Sequence, residues 1–159
     1  MTAPDILAAL LSDDHVVLKL RTATKAALLV DLARRASALT DLPPAALHAA
    51  LAAREALGST GFGAGIAVPH ARIVGLADPC GLLVRLDKAL AYDAIDGNPV
   101  DLVFLLLTPL GQDSAHLALL AAISRRLRDK SVANAVRGAA TPAQAKRILL
   151  DAGRSPPLG

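Results

Sequence analysis

Val100-Asp101-Leu102-Val103-Phe104-Leu105-Leu106-Leu107 holds one polar residue in eight and shows no polar/apolar alternation. A strand with one wet face alternates, whereas a strand covered on both faces reads as a continuous apolar run. The stretch therefore predicts a central strand with packed layers above and below it. N-terminal to it, Asp93 to Asn98 reads as a turn, punctuated by Asp96-Gly97-Asn98-Pro99. Further strands are expected at Gly81 to Leu86, at Ile66-Ala67-Val68, which stops at Pro69-His70, and at the β-branched segment Val16 to Leu20. On the C-terminal side Thr108 to Gln112 reads as a loop. Ser114 to Arg128 reads as a helix with Leu117, Leu120, Ala121, Ser124 and Leu127 on one stripe.

Two helices are expected between the first two strands. The first runs from about Thr24 to Leu39, capped by Thr22 or Thr24, with Leu28, Leu29, Leu32, Ala33, Ala36 and Leu39 at helical spacing. The second follows Asp41-Leu42-Pro43-Pro44, read as a cap and two prolines at the helix start, and buries Leu47, Ala50, Leu51 and Leu57. Gly58 to Gly65, with four glycines in eight residues, reads as a loop. A short helix is expected at Ser131 to Val136. A last one opens at the capping box Thr141-Pro142-Ala143-Gln144 and runs to about Leu150. Strands alternating with helices predict an α/β domain with helices on both faces of a sheet. One domain is expected over residues 1–152, with a frayed tail at 153–159.

The 159 residues are 53% apolar and 19% charged, which excludes a disordered chain. Seventeen Lys and Arg against 14 Asp and Glu give +3, dispersed along the sequence, and the aromatics are only Phe62, Tyr92 and Phe104. Nucleic acid is therefore not an expected partner. No apolar run approaches the roughly 20 residues that span a membrane, and Met-Thr-Ala-Pro-Asp lacks a basic signal-peptide start, so no membrane insertion and a cytoplasmic location are expected. The lone Cys80 permits no internal disulfide and no cysteine-based zinc site.

Candidate chemistry gathers in a few places. Arg54 lies seven residues after Leu47 and so shares its inward face, where a guanidinium needs an anionic partner. That partner is either a nearby Asp or an anionic ligand, unless the side chain snorkels to the helix end. Ser59, Thr60 and the following glycines can cradle a phosphate with backbone N–H groups and hydroxyls. Gly61-Phe62-Gly63 follows a helix, which excludes a dinucleotide fingerprint, and no Gly-Lys-Ser/Thr of a Walker loop occurs. His70 stands at a strand mouth with Arg72 two residues on, where neutral imidazole is a competent nucleophile. His116 falls in the first turn of a helix that Asp113 or Ser114 would cap, aligned inward with Leu120, Ile123 and Leu127, placed to hydrogen-bond a phosphorylated group or a core carbonyl. His15 and His48 are expected at the surface. No HxH or HExxH pair and no Gly-x-Ser-x-Gly elbow occurs, so neither a metal, another cofactor nor a serine hydrolase is expected. Cys80 is read as inert.

Arg54-Glu55-Ala56-Leu57-Gly58-Ser59-Thr60-Gly61-Phe62-Gly63 and Gly65-Ile66-Ala67-Val68-Pro69-His70 resemble the enzyme IIA domain of the fructose/mannitol class of the bacterial phosphoenolpyruvate-dependent phosphotransferase system. The resemblance continues through Tyr92-Asp93-Ala94-Ile95-Asp96-Gly97-Asn98-Pro99-Val100, His116-Leu117 and Arg126-Leu127, and looks most like the nitrogen-regulatory, PtsN-type branch. It implies a mixed central sheet flanked by helices. It also implies a phosphohistidine formed on His70 from an HPr-like carrier, with His116 orienting, Arg54 compensating charge, and Ser59, Thr60, Gly61 and Arg72 binding phosphate. Regulation of target proteins by phosphorylation state follows. The alternative is a metabolic IIA component passing phosphate to a IIB domain, which a fused IIB or membrane segment would favour. Ala71 replaces the glycine usual after the active histidine. A positive φ there would strain the backbone and re-aim Arg72.

Overall fold

The computed structural model describes residues 3–151, so the tail expected at 153–159 lies outside the described residues. The chain runs α1 (Ala3–Ala8), a 3-10 turn (Asp13–His15), β1 (Val16–Leu20), α2 (Lys25–Thr40), α3 (Pro44–Ala56), β2 (Gly61–Gly63), β3 (Ile66–Ala67), β4 (His70–Ile73), β5 (Cys80–Leu90), β6 (Val100–Pro109), α4 (Asp113–Arg128), α5 (Lys130–Arg137) and α6 (Pro142–Leu150). The sheet order is β1-β5-β6-β3-β2, with β4 also pairing β6. β1 runs parallel to β5, and β3 and β4 parallel to β6, while β5–β6 and β2–β3 are antiparallel. The sheet is mixed and has helices on both faces.

The apolar run at 100–107 behaves as its composition requires. Val103, Leu105 and Leu107 point into one core, with Leu28 and Leu32 of α2 and Leu47 and Leu51 of α3. Leu102, Phe104 and Leu106 point into the other, with Leu7 of α1, Ile123 and Leu127 of α4, Val136 of α5 and Leu149 of α6. Every residue from Leu102 to Leu107 is fully buried, each contributing about 1.5–3 kcal/mol of transfer free energy.

Helix starts follow local chemistry. Thr24 caps α2 by accepting from Ala27 N–H, and Thr141 caps α6 by accepting from Gln144 N–H. Asp41 does not cap α3. It ends α2 in the left-handed region at φ 60°, with its N–H on the Ser37 carbonyl, and Pro43 takes the cap position of α3. Leu57 lies past the end of α3 and is 85% exposed instead of buried.

The inward face of α4 is His116, Leu119, Ala122, Ile123 and Leu127, not the stripe expected through Leu117, Ala121 and Ser124. Residues 117–123 are all apolar, so the sequence there wraps the helix and periodicity cannot choose a face. The segment read as a loop after Leu107 continues as strand through Thr108 and Pro109. α1, β2 and β4 are too short to carry a periodic signal. Among the described residues no helix is long and apolar enough to cross a membrane.

Candidate functional site

β3 and β4 lie end to end along the same side of β6, Ile66 and Ala67 beside Leu102 and Val103, and His70 to Ile73 beside Leu106 to Pro109. Pro69 sits between them, with its carbonyl accepting from Leu106 N–H at 3.0 Å. Period-2 alternation turns Ala71 and Ile73 into the α2/α3 core and leaves His70 and Arg72 on the α4 side. Ala71 keeps a negative φ and is buried in that core, so the departure from glycine brings no strain and Arg72 stays in strand register.

The two nitrogens of His70 are distinguishable. Nδ1 lies 2.7 Å from the Val68 carbonyl oxygen, which only accepts, so Nδ1 carries the proton. Nε2 then holds a lone pair, and Arg54 Nε donates to it at 3.2 Å. Arg54, in the last turn of α3, is anchored by Nη1 donating to the Gly58 carbonyl at 2.8 Å. The anionic side-chain partner expected for Arg54 is not there. Among the described residues no carboxylate lies within ion-pair distance of it, and its guanidinium meets a neutral imidazole and a carbonyl.

His116 arrives from the other face of the sheet. It is 2% exposed, and its Nδ1 lies 2.6 Å from Thr108 Oγ1. The two imidazoles stand 5.5 Å apart between centroids, tilted by 53°. Neither Asp113 nor Ser114 caps α4. The cap position is Gln112, and Asp113 instead pairs with Arg72 at 2.9 Å, tying β4 to α4.

Burial, helped by the Arg54 and Arg72 guanidinium charges, holds the His70 imidazole below its usual range despite the Val68 carbonyl and Glu55. Burial, then Arg72 and His70, brings His116 down to about 4. Both rings are neutral at pH 7. A histidine-resolved NMR titration is expected to show a His116 midpoint near 4 and a His70 midpoint below that of a free imidazole. The sign for stability follows. Between the unfolded value and the folded one the unfolded chain binds more protons, so stability is full above pH 6.5 and falls as pH drops toward 4. Protonation of His116 therefore works against the fold across that window. A His116 midpoint at 6.5 would show instead that the ring is solvated.

Arg54, His70, Arg72 and His116 line one shallow cleft of about 380 Å³, rimmed by the exposed side chains of Leu57 and Leu117. Ser59, Thr60 and Gly61 do not line it. Ser59 Oγ donates to the Tyr92 carbonyl and accepts from Gly61 N–H. Thr60 donates both its N–H and its hydroxyl to Glu55, which also receives the Tyr92 hydroxyl at 3.0 Å and the Lys25 ammonium at 2.9 Å. A Cβ on Gly61 would fall 2.9 Å from Ala94 Cβ, so the glycine there serves close packing. The donors expected to cradle phosphate are instead committed to a network that fixes the C-terminal end of α3. Thr108, Glu55, Lys25 and Tyr92 carry roles that residue chemistry alone did not single out. Thr108 had one available signal, its period-2 alignment with Leu102, Phe104 and Leu106 on the face that meets α4.

Elsewhere, burial pushes the Cys80 thiol up to about 11, so it stays protonated and unreactive at neutral pH. His15 is not a free surface residue, because its Nδ1 lies 2.8 Å from the Gly81 carbonyl. Among the described residues no three His, Cys, Asp or Glu side chains converge as metal ligands.

Comparison with known proteins places these observations. Residues 9–152 match the family described as phosphoenolpyruvate-dependent sugar phosphotransferase system, EIIA 2. The chain is 40% identical over 128 residues to the nitrogen regulatory protein of Bradyrhizobium diazoefficiens, covering 80% of this chain and 84% of that one. It is 39% identical over 116 residues to the nitrogen regulatory protein of Escherichia coli, covering 72% and 71%. The crystal structure of nitrogen regulatory protein IIA-Ntr from Neisseria meningitidis superposes with a TM-score of 0.87 at 30% identity, covering 91% of this chain and 99% of that one.

Proposed function

We propose, from the premise that this chain belongs to the EIIA 2 family of the phosphoenolpyruvate-dependent phosphotransferase system, that it is a regulatory phosphocarrier whose His70 Nε2 accepts a phosphoryl group from an HPr-like protein. One observation carries the reading. The Val68 carbonyl holds the proton on Nδ1, which leaves the Nε2 lone pair facing the cleft beside a guanidinium with no carboxylate partner.

The step is a displacement between two imidazoles. The Nε2 lone pair forms the new P–N bond while the P–N bond to the donor breaks, its electron pair returning to the donor nitrogen. His70 keeps its Nδ1 proton throughout, and a donor ring that likewise keeps the proton on its other nitrogen leaves as neutral imidazole, so no net proton moves. Arg54 exchanges its contact with Nε2 for one with a phosphoryl oxygen. Arg72, on the same face of β4, adds a second cation, and His116 orients the group.

Phosphorylation places about −1.5 to −2 charges between the exposed side chains of Leu57 and Leu117. An apolar rim that binds a partner in one state then surrounds an anion in the other. This charge change, together with the likeness to nitrogen regulatory proteins, supports regulation of target proteins in the cytoplasm over passage of phosphate to a IIB domain.

The test is intact mass after incubation with phosphoenolpyruvate, enzyme I and an HPr-type carrier. One phosphoryl group is expected, labile in acid and mapped to His70 by fragmentation. Folded protein that gains nothing from any carrier of this type refutes the reading.

A further inference from the structure

The cleft contains two neutral imidazoles, and the transfer asks opposite things of them. His70 must offer a lone pair at the phosphorus, whereas His116 must offer a proton to a phosphoryl oxygen. Their ring partners differ accordingly. His70 Nδ1 meets a carbonyl, which can only accept. His116 Nδ1 meets the hydroxyl of Thr108, which can do either.

The surroundings of Thr108 decide which. Its side chain is fully buried near the end of β6, level with Arg72 across the strand pair, and among the described residues Oγ1 has no hydrogen-bond partner except His116 Nδ1, 2.6 Å away. Were the proton on Nδ1, the ring would donate to Oγ1 and the threonine proton would be left buried without an acceptor. With the hydroxyl donating to Nδ1, every group is satisfied and the ring proton must sit on Nε2. Among the described residues no buried side-chain nitrogen or oxygen lacks a partner, and His116 Nε2 has none, so that atom opens onto the cleft.

We infer that Thr108 is a positioning residue that fixes His116 as the Nε2–H tautomer, presenting a proton to the phosphoryl oxygens while His70 presents its lone pair. The inference rests on the phosphocarrier reading for its purpose and on the hydrogen-bond geometry for its chemistry. Without the Thr108 hydroxyl nothing holds the ring proton on Nε2, and whatever fraction of His116 takes the Nδ1–H form turns an Nε2 lone pair toward a phosphoryl oxygen and repels it. The P–N bonds formed and broken are unchanged. Thr108 touches no reacting atom and acts only through the ring.

Two measurements on the full chain test this. Two-bond 1H–15N spectra of the unphosphorylated wild type are expected to show His116 as Nε2–H and His70 as Nδ1–H. Wild type with His116 as Nδ1–H overturns the inference whatever any variant does. Single-turnover acceptance from a phosphorylated HPr-type carrier is then compared in Thr108→Val and Thr108→Ser. Thr108→Val, close in shape but without the hydroxyl, is expected to slow transfer roughly ten- to a hundredfold with carrier affinity little changed. Thr108→Ser is expected to recover to within about threefold of wild type. Thr108→Val transferring at the wild-type rate, or Thr108→Ser as slow as Thr108→Val in folded protein, overturns it. A wild type that accepts no phosphoryl group defeats the phosphocarrier reading, while Nε2–H on His116 in that same sample upholds the Thr108 assignment.

Discussion

His70→Ala is expected to abolish phosphoryl acceptance, by at least about a thousandfold in single-turnover rate, while leaving the protein folded. The side chain is half-buried at the start of β4 and makes two hydrogen bonds, to the Val68 carbonyl and from Arg54 Nε. Arg54 lines the cleft and can turn to water, whereas the buried Val68 carbonyl loses its donor, so stability is expected to fall by about 1–2 kcal/mol. His116 cannot take over. Its Nδ1 is engaged by Thr108, and the Nε2 that opens onto the cleft carries the ring proton on the assignment inferred above, so it has no lone pair to offer. His15 is bonded to Gly81 on the sheet, and His48 lies on α3 outside the residues that line the cleft. Intact mass and circular dichroism of the variant check both halves of the expectation. A phosphoryl group found on the variant would move the nucleophile elsewhere.

Phe104→Ala is expected to destabilise the fold by about 3–5 kcal/mol, a large fraction of a domain's total stability. Phe104 is fully buried at the middle of β6, and its ring lies over Gly81, where an added Cβ would come within 3.1 Å of the ring carbons. Gly81 leaves room for the ring and can offer nothing to refill that space once the ring is gone. Leu57→Ala, at an 85% exposed position, is the control and should shift stability little. Urea denaturation checks the pair. A loss below about 1 kcal/mol at Phe104 would mean that the neighbouring side chains collapse into the gap.

The layered architecture was legible because residues 100–107 are apolar almost throughout, and threonines marked two helix starts, Thr141 directly and Thr24 as one of two candidates with Thr22, by a chemistry that tertiary packing did not override. What stayed illegible depends on partners distant in sequence. β2 and β4 have three and four residues and exist through pairing with β3 and β6, so no local pattern announces them. Arg54, His70, Arg72 and His116 were readable as chemistry and come together in one cleft. Ser59 and Thr60 lie outside the cleft lining, which their sequence did not show, because a hydroxyl beside glycines looks the same whether it faces a ligand or a buried carboxylate, and only the fold brings Glu55 and Tyr92 against them. Thr108 was passed over for a related reason. At the end of an apolar run it reads as the start of a loop, and only the strand pairing and α4 give it His116 as a neighbour.

Among the described residues β4 has β6 on one side and no other strand against it. A bare edge invites another chain to pair with it, yet this one is four residues long and ends beside Pro109 of its neighbour, which gives an intruding strand little to grip. The His70 imidazole therefore stands at the margin of the sheet, beside an edge too short to recruit another strand. Traffic through such a site is governed by how often two surfaces collide and how soon they separate. Leu57 and Leu117 give the cleft only a small exposed apolar rim, so on the phosphocarrier reading proposed above a partner's stay there is expected to be brief.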